Sequence, residues 1–237
     1  MGKASFLDSS IGRKFAMALS AFFLLFFLLQ HLTINMMSVI HPETFNDVSH
    51  FMGNNFVVQA ILQPILLAGV LFHFILGFIL EIKNRGSRDS KYAAYKGSAN
   101  ASWMSRNMII SGIVILLFLL LHLYDFWLHE ILVKYFSENG AENIQYVNRD
   151  PSLGMRYYPE LREKFDGDII RMILYVLSFL FLGLHLNHGF QSAFQSVGAR
   201  NPKYLGLIKS LGKVYSIAVP LLFTYIAIHH YLGLTWH

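Results

Sequence analysis

Five apolar runs decide what this chain can fold into. They cover about 15–38, 57–82, 104–129, 168–193 and 208–233, and each holds the ~20 apolar residues a helix needs to cross a bilayer. Hydrocarbon offers no water to a backbone N–H or C=O, so a crossing segment must close its hydrogen bonds within itself. The expectation is an all-α polytopic membrane protein with five transmembrane helices in a single domain over residues 1–237. The charged fraction agrees: 14%, against roughly a quarter in soluble chains. Pro64 and Pro220 fall inside the second and fifth runs, where either can kink its helix if neighbours satisfy the freed carbonyl.

The sequence has no cysteine. That excludes a disulfide framework, a c-type haem attachment and a thiolate-bound iron–sulfur cluster within this chain. The net charge of +5 is read as topology, not as nucleic-acid binding. Lys3, Arg13 and Lys14 resemble the basic region of a signal peptide. The apolar run behind them continues for about 20 residues without a small-residue cleavage site, which predicts a retained first helix.

The connections alternate in charge. The first, near 39–56, has no Lys or Arg, whereas the second, near 83–103, has Lys83, Arg85, Arg88, Lys91 and Lys96, with Arg106 just beyond. The fourth has Arg200 and Lys203, with Lys209 and Lys213 opening helix five. The positive-inside rule then places the N-terminus and the second and fourth connections in the cytoplasm. The third, about 130–167, mixes Lys134, Arg149, Arg156, Arg162 and Lys164 with seven acids. Its middle lies far from the helix ends, where the rule is weak. It is placed outside, and its length, with Tyr146, Tyr157 and Tyr158, suggests a folded cap over the outer end of the bundle.

Four histidines interrupt the first four runs: His31, His73, His122 and His185. An ionisable group at such depth is costly and marks a functional site by default. With the N-terminus inside, His31 and His122 fall roughly 7 Å outside the midplane, and His73 and His185 a similar distance inside it, at 1.5 Å per residue. Odd helices thus supply an outer pair and even helices an inner pair. Two neutral imidazoles from facing helices suit the axial positions of a haem iron, which predicts a haem-binding core from helices one to four. Gly69 and Gly77 flank His73 at four residues on either side, and Gly189 lies four beyond His185, with Gly183 close by. Small residues at this spacing let a flat ring approach the backbone, and they also serve plain helix packing.

Other readings compete. A single buried histidine is as often a hydrogen-bonded packing residue; four at matched depths argue against that. A metal-ion pathway would bring acids into the spans, yet Glu81 and Asp125 lie near span ends. His188 competes with His185, which is favoured by its spacing to Gly189 and its depth match to His73. His229 and His230 lack an obvious partner and are assigned to packing or the interface. His41, His50, His129 and His237 belong to outer loops or ends and are expected to be solvated.

Several segments carry a family resemblance: Gln30-His31-Leu32, Leu71-Phe72-His73-Phe74, Leu121-His122-Leu123 and His185-Leu186-Asn187-His188-Gly189, with Gly198 further on. Together they resemble the cytochrome b membrane-anchor subunit of succinate dehydrogenase and fumarate reductase, in its single-subunit, five-helix, dihaem type. The His-x-x-x-Gly element with a second glycine nine residues later matches at His185 and not at His188. The stretch from Gly97 to Asn107 resembles the form found in Bacteroidetes-like bacteria.

The resemblance implies that His73 and His185 hold the haem nearer the catalytic subunits, and His31 and His122 the outer one. It implies two b haems, menaquinone as the electron partner, and a flavoprotein and an iron–sulfur subunit docked on the cytoplasmic face. It also implies a bacterial cytoplasmic membrane, with no succinate chemistry in this chain alone. The basic second connection is read either as a contact for an acidic partner or the haem propionates, or as ordinary topology and lipid contact. A glutamate that some fumarate reductases of this type carry before the helix-four ligand is replaced here by Gly183 and Leu184, so its proton route is not carried over. Asp125, His129 and Glu130 end helix three and form the candidate quinone and proton site by position. The alternatives are a dihaem cytochrome b of a hydrogenase or formate dehydrogenase, a His-based metal or proton transporter, and a purely structural anchor.

Overall fold

The computed structural model describes residues 6–86, 108–136, 156–199 and 201–234. Helix accounts for 93% of it, with no strand among the described residues. The helices are α1 (Ser10–Ile40), α2 (Pro42–Asn54), α3 (Val58–Gly86), α4 (Met108–Tyr135), α5 (Tyr157–Phe165), α6 (Ile169–Ser196) and α7 (Pro202–Tyr231). Five of them, α1, α3, α4, α6 and α7, are long and apolar enough to cross a membrane. Each outruns or shifts the predicted apolar core by a few residues, because polar residues extend a helix that hydropathy alone would end.

The ends of these helices are written in short polar side chains. Ser9 Oγ accepts the Gly12 amide ahead of α1, Asn55 Oδ1 accepts those of Val57 and Val58 ahead of α3, and Asp168 Oδ1 accepts that of Arg171 in α6. Each satisfies a donor that the first turn leaves open. Gly198 and Gly233, at φ 81° and 62°, stop α6 and α7. There the amides of Ala199 and Leu234 close back on the carbonyls of Phe194 and His229, which needs a left-handed residue that glycine adopts at little cost.

Two segments are wound as π-helix, Val58–Leu62 and Leu123–Leu128. The first precedes Pro64, whose missing N–H and bulky ring disturb the α-helical turn before it. The second begins directly after His122. A π turn holds about one residue more than an α turn, so the faces beyond it are rotated by about 100° from a periodicity count.

The residues gather into two compact units, each drawn from several spans. The first comprises residues 1–29, 63–113 and 181–219. Ala18, Leu76, Leu186, Ala193 and Val219 are buried in it, and Phe22 packs edge-on against Phe194 at 4.8 Å. The Tyr215 hydroxyl ties α7 to α1 by donating to the Leu25 carbonyl at 2.6 Å. The second comprises residues 30–62, 114–180 and 220–237. An aromatic stack runs through it from Phe118 and Phe165 to Tyr175, Phe179 and Phe223, with centroids 5.0 to 6.0 Å apart. Mid-span residues such as Phe26 and Leu117 are 72% and 61% exposed, as lipid-facing side chains are.

The connection near 39–56 is not a bare loop. It forms α2, begun by Pro42, and packs on α5 of the third connection, where Asn46 Oδ1 accepts the Tyr158 amide at 2.8 Å. A folded cap therefore exists at least over 156–165; Tyr146 lies outside the described residues. So do most of the basic second connection, from Arg88 to Arg106, the Gly97–Asn107 stretch, Arg149 and His237.

Candidate functional site

The first unit brings His73 and His185 together, with ring centres 6.4 Å apart at 68°. Each ring is held by a serine from a different helix. Ser20 Oγ lies 2.9 Å from His73 Nδ1 and donates its own hydrogen to the Met17 carbonyl at 2.8 Å. Ser111 Oγ lies 3.2 Å from His185 Nδ1 and donates to the Met108 carbonyl at 2.9 Å. A hydroxyl has one hydrogen. With that hydrogen on a backbone carbonyl, the serine oxygen accepts from the imidazole, so the proton is assigned to Nδ1 in both rings. Nε2 then keeps its lone pair, the state a metal ligand needs.

The second unit brings His31 and His122 together, with ring centres 5.7 Å apart at 87°. Phe118, Phe126 and Tyr175 surround His122, and Phe223 lies 5.9 Å from His31. The Asn35 amide donates to the His31 carbonyl at 2.8 Å and stands 3.4 Å from both ring nitrogens. His122 Nδ1 is buried and unpaired.

Both separations suit one metal ion between two imidazoles. A metal–nitrogen bond of about 2.0 Å and about 1.1 Å from nitrogen to ring centre put two axial rings about 6.2 Å apart. The neutral nitrogen donor set is that of a bis-histidine haem. Against the glycines expected to admit a macrocycle lie movable apolar side chains. A Cβ on Gly69 would meet Phe23 at 2.7 Å, and Gly77 and Gly189 face the methyl ends of Met17 and Met108. His188 is half-buried and has no serine partner of this kind among the described residues.

Asp125 and Glu130 belong to separate networks. Asp125, 1% exposed, accepts the Tyr175 hydroxyl at 2.8 Å and pairs with Arg171 Nε at 3.2 Å, both through Oδ2, while Oδ1 has no partner. Glu130 pairs with Lys134 at 2.6 Å and with Arg156 at 2.5 Å, and it accepts the Tyr157 hydroxyl. Lys134 also donates to the Gly53 carbonyl of α2. Burial works against the Arg156 charge, but Glu130, Tyr157 and Glu160 together outweigh it and hold its pKa above the ordinary value. Burial, then the Glu130 carboxylate, pushes the Tyr157 phenol up, so it stays a neutral donor. Glu130 thus fastens the cap to α4. His129 is half-buried rather than solvated.

The remaining histidines differ in burial. His50 is half-buried on α2 with Nε2 sequestered, not solvated, because α2 folds where a plain connector was expected. His229 and His230 are 1% exposed each, among the most buried side chains described.

No family model, no curated protein and no solved structure matches this chain.

Sequence reasoning missed the two serines, although a signal was present. Ser20 precedes His31 by eleven residues, and Ser111 precedes His122 by the same interval. Eleven residues are about three turns, so serine and histidine share a helix face. Two spans thus each carry a histidine of one pair and, three turns earlier, the hydroxyl that holds a ring of the other pair.

Proposed function

We propose that this chain is the membrane anchor and electron-transfer subunit of a succinate:quinone oxidoreductase. Two b haems would be held, one by His73 and His185 and one by His31 and His122. The observation that carries the reading is the facing of these rings in two pairs at a metal-spanning distance, with a serine hydroxyl on Nδ1 of both His73 and His185. Bound iron porphyrin supplies a one-electron carrier; the chain supplies ligands, fixes their tautomer and shields them in an apolar shell. The succinate side of the reading comes from the resemblance at His31, His73, His122 and His185–Gly189. On it, a flavoprotein and an iron–sulfur subunit dock on the cytoplasmic side of a bacterial inner membrane, with the N-terminus on that side, and menaquinone exchanges electrons through the outer pair.

A reduced-minus-oxidised spectrum with a haem-to-protein ratio tests the centre of this reading. Two b-type haems per chain are expected; a colourless protein points to the transporter instead. The subunits that co-purify separate the succinate assignment from a hydrogenase or formate dehydrogenase cytochrome.

Two smaller effects follow from the geometry. Ser20→Ala or Ser111→Ala frees the tautomer of an inner ligand and loosens its haem by about 10- to 100-fold, the usual cost of losing a hydrogen-bond partner behind a metal ligand. Haem transfer to apomyoglobin measures it, and equal transfer rates in variant and parent would remove the serines from the site. Asp125→Asn combined with Glu130→Gln should slow quinone turnover while both haems stay bound. Native turnover in that variant would place the quinone elsewhere.

A further inference from the structure

The buried pair on helix α7 has an unmet valence. Ser38 Oγ donates to the Asn35 carbonyl at 2.6 Å and lies 2.9 Å from His230 Nε2. With its single hydrogen on the carbonyl, its oxygen accepts from the imidazole, and the His230 proton is assigned to Nε2. The other nitrogen, Nδ1, is left as a bare acceptor. It is buried and meets no donor among the described residues, nor does the buried His229 Nδ1 beside it, the two ring centres being 5.2 Å apart. A sequestered acceptor without a donor is costly, so such a group calls for a missing partner.

What can satisfy Nδ1 is a donor. Among the described residues no third metal-ligating side chain joins the two histidines, which argues against a cation. Tyr158 stands 5.9 Å from the His230 ring at 70° and offers a flat wall. Ile228, Leu232 and Leu234 nearby are 37%, 58% and 47% exposed, an apolar approach suited to a ligand that travels in lipid. The string from Nε2 through Ser38 to Asn35 ends at His31, whose carbonyl and ring the Asn35 amide touches. His31 and Ser38 are seven residues apart, about two turns along one face of α1.

We propose that His230 Nδ1 is the acceptor for a hydroxyl of a membrane-borne hydroquinone, with Tyr158 against the ring of the ligand. The proposal rests on the quinone reading above and adds to it an unengaged acceptor, since the Asp125 and Glu130 carboxylates are already held by Arg171, Tyr175, Lys134 and Arg156.

The test uses the full chain, purified in detergent, and titration calorimetry with 2-heptyl-4-hydroxyquinoline N-oxide, a quinol mimic with a hydroxyl donor. His230→Leu should weaken binding at least about tenfold, the ~1.4 kcal/mol of one buried hydrogen bond. His230→Asn, whose amide oxygen can replace Nδ1, should recover most of the loss. Ser38→Ala, which frees the proton to move to Nδ1, should weaken binding about threefold and serves if His230→Leu fails to fold. Native affinity in His230→Leu, or in Ser38→Ala where the leucine variant does not fold, overturns the proposal. The haem count, read on the same samples, separates this failure from that of the underlying reading: unaltered binding with two haems present rejects the site alone, whereas a parent protein without haem rejects the electron-transfer function.

Discussion

On the proposed haem reading, changing His73 to leucine should leave one b-type haem per chain in place of two. His185→Leu gives the same residual spectrum and the same remaining midpoint potential, because both changes empty one site. His31→Leu and His122→Leu give the complementary pair, with the other haem lost. The reason is the geometry of facing rings: 6.4 Å between the centres of one pair and 5.7 Å in the other. One ion between two imidazoles loses half its protein donors when either ring goes, and occupancy of that site should fall below about a tenth, beyond the 10- to 100-fold cost of losing only a partner behind a ligand. His188→Leu keeps both haems. The grouping of the variants is the sensitive readout, since four unrelated packing histidines would not fall into two classes. Four variants that each retain two haems would end the haem reading.

Changing Asp125 to alanine lowers the stability of the second unit by about 3 kcal/mol, in the range for removing one partner of a buried ion pair. The carboxylate is 1% exposed and receives both the Tyr175 hydroxyl and Arg171. Without it the Tyr175 hydroxyl is stranded in an aromatic core among Phe118, Phe165 and Phe179. Arg171 is less exposed to loss, because Asp168 and the Lys164 carbonyl hold it at 3.1 and 3.0 Å. That second hold keeps the expected cost at the low end. Asp125→Asn retains an acceptor for Tyr175 and should lose about half as much, while Tyr175→Phe loses about 1 kcal/mol. Thermal unfolding in detergent, followed by circular dichroism, measures the series. An alanine variant as stable as the parent would show that the buried cluster contributes nothing net.

The chain advertises some of this openly and conceals the rest. The number of crossings is local: each apolar run is long enough to span hydrocarbon, and no tertiary contact is needed to count it. The four histidines stand out for the same reason, as ionisable groups where such groups are costly. Their pairing by depth follows from a fixed rise per residue and an alternating direction of travel. The partners of those rings do not follow. Ser20 reaches His73 across 53 positions, Ser111 reaches His185 across 74, and Ser38 reaches His230 across 192. A hydroxyl in an apolar run looks like a packing residue until the helix opposite is placed.

The π turn after His122 is equally silent in the sequence, since it arises from how neighbouring side chains pack and not from a local motif. It changes which face Glu130 and Lys134 present, and so decides that they bind the cap. What the amino-acid order fixed by itself is a five-crossing helical chain with paired histidines, because hydropathy and helical rise act on neighbours. Only the tertiary structure decided which nitrogens are bare, which acids are engaged and which histidines on α7 are sealed from solvent, because each depends on atoms brought together from distant parts of the chain.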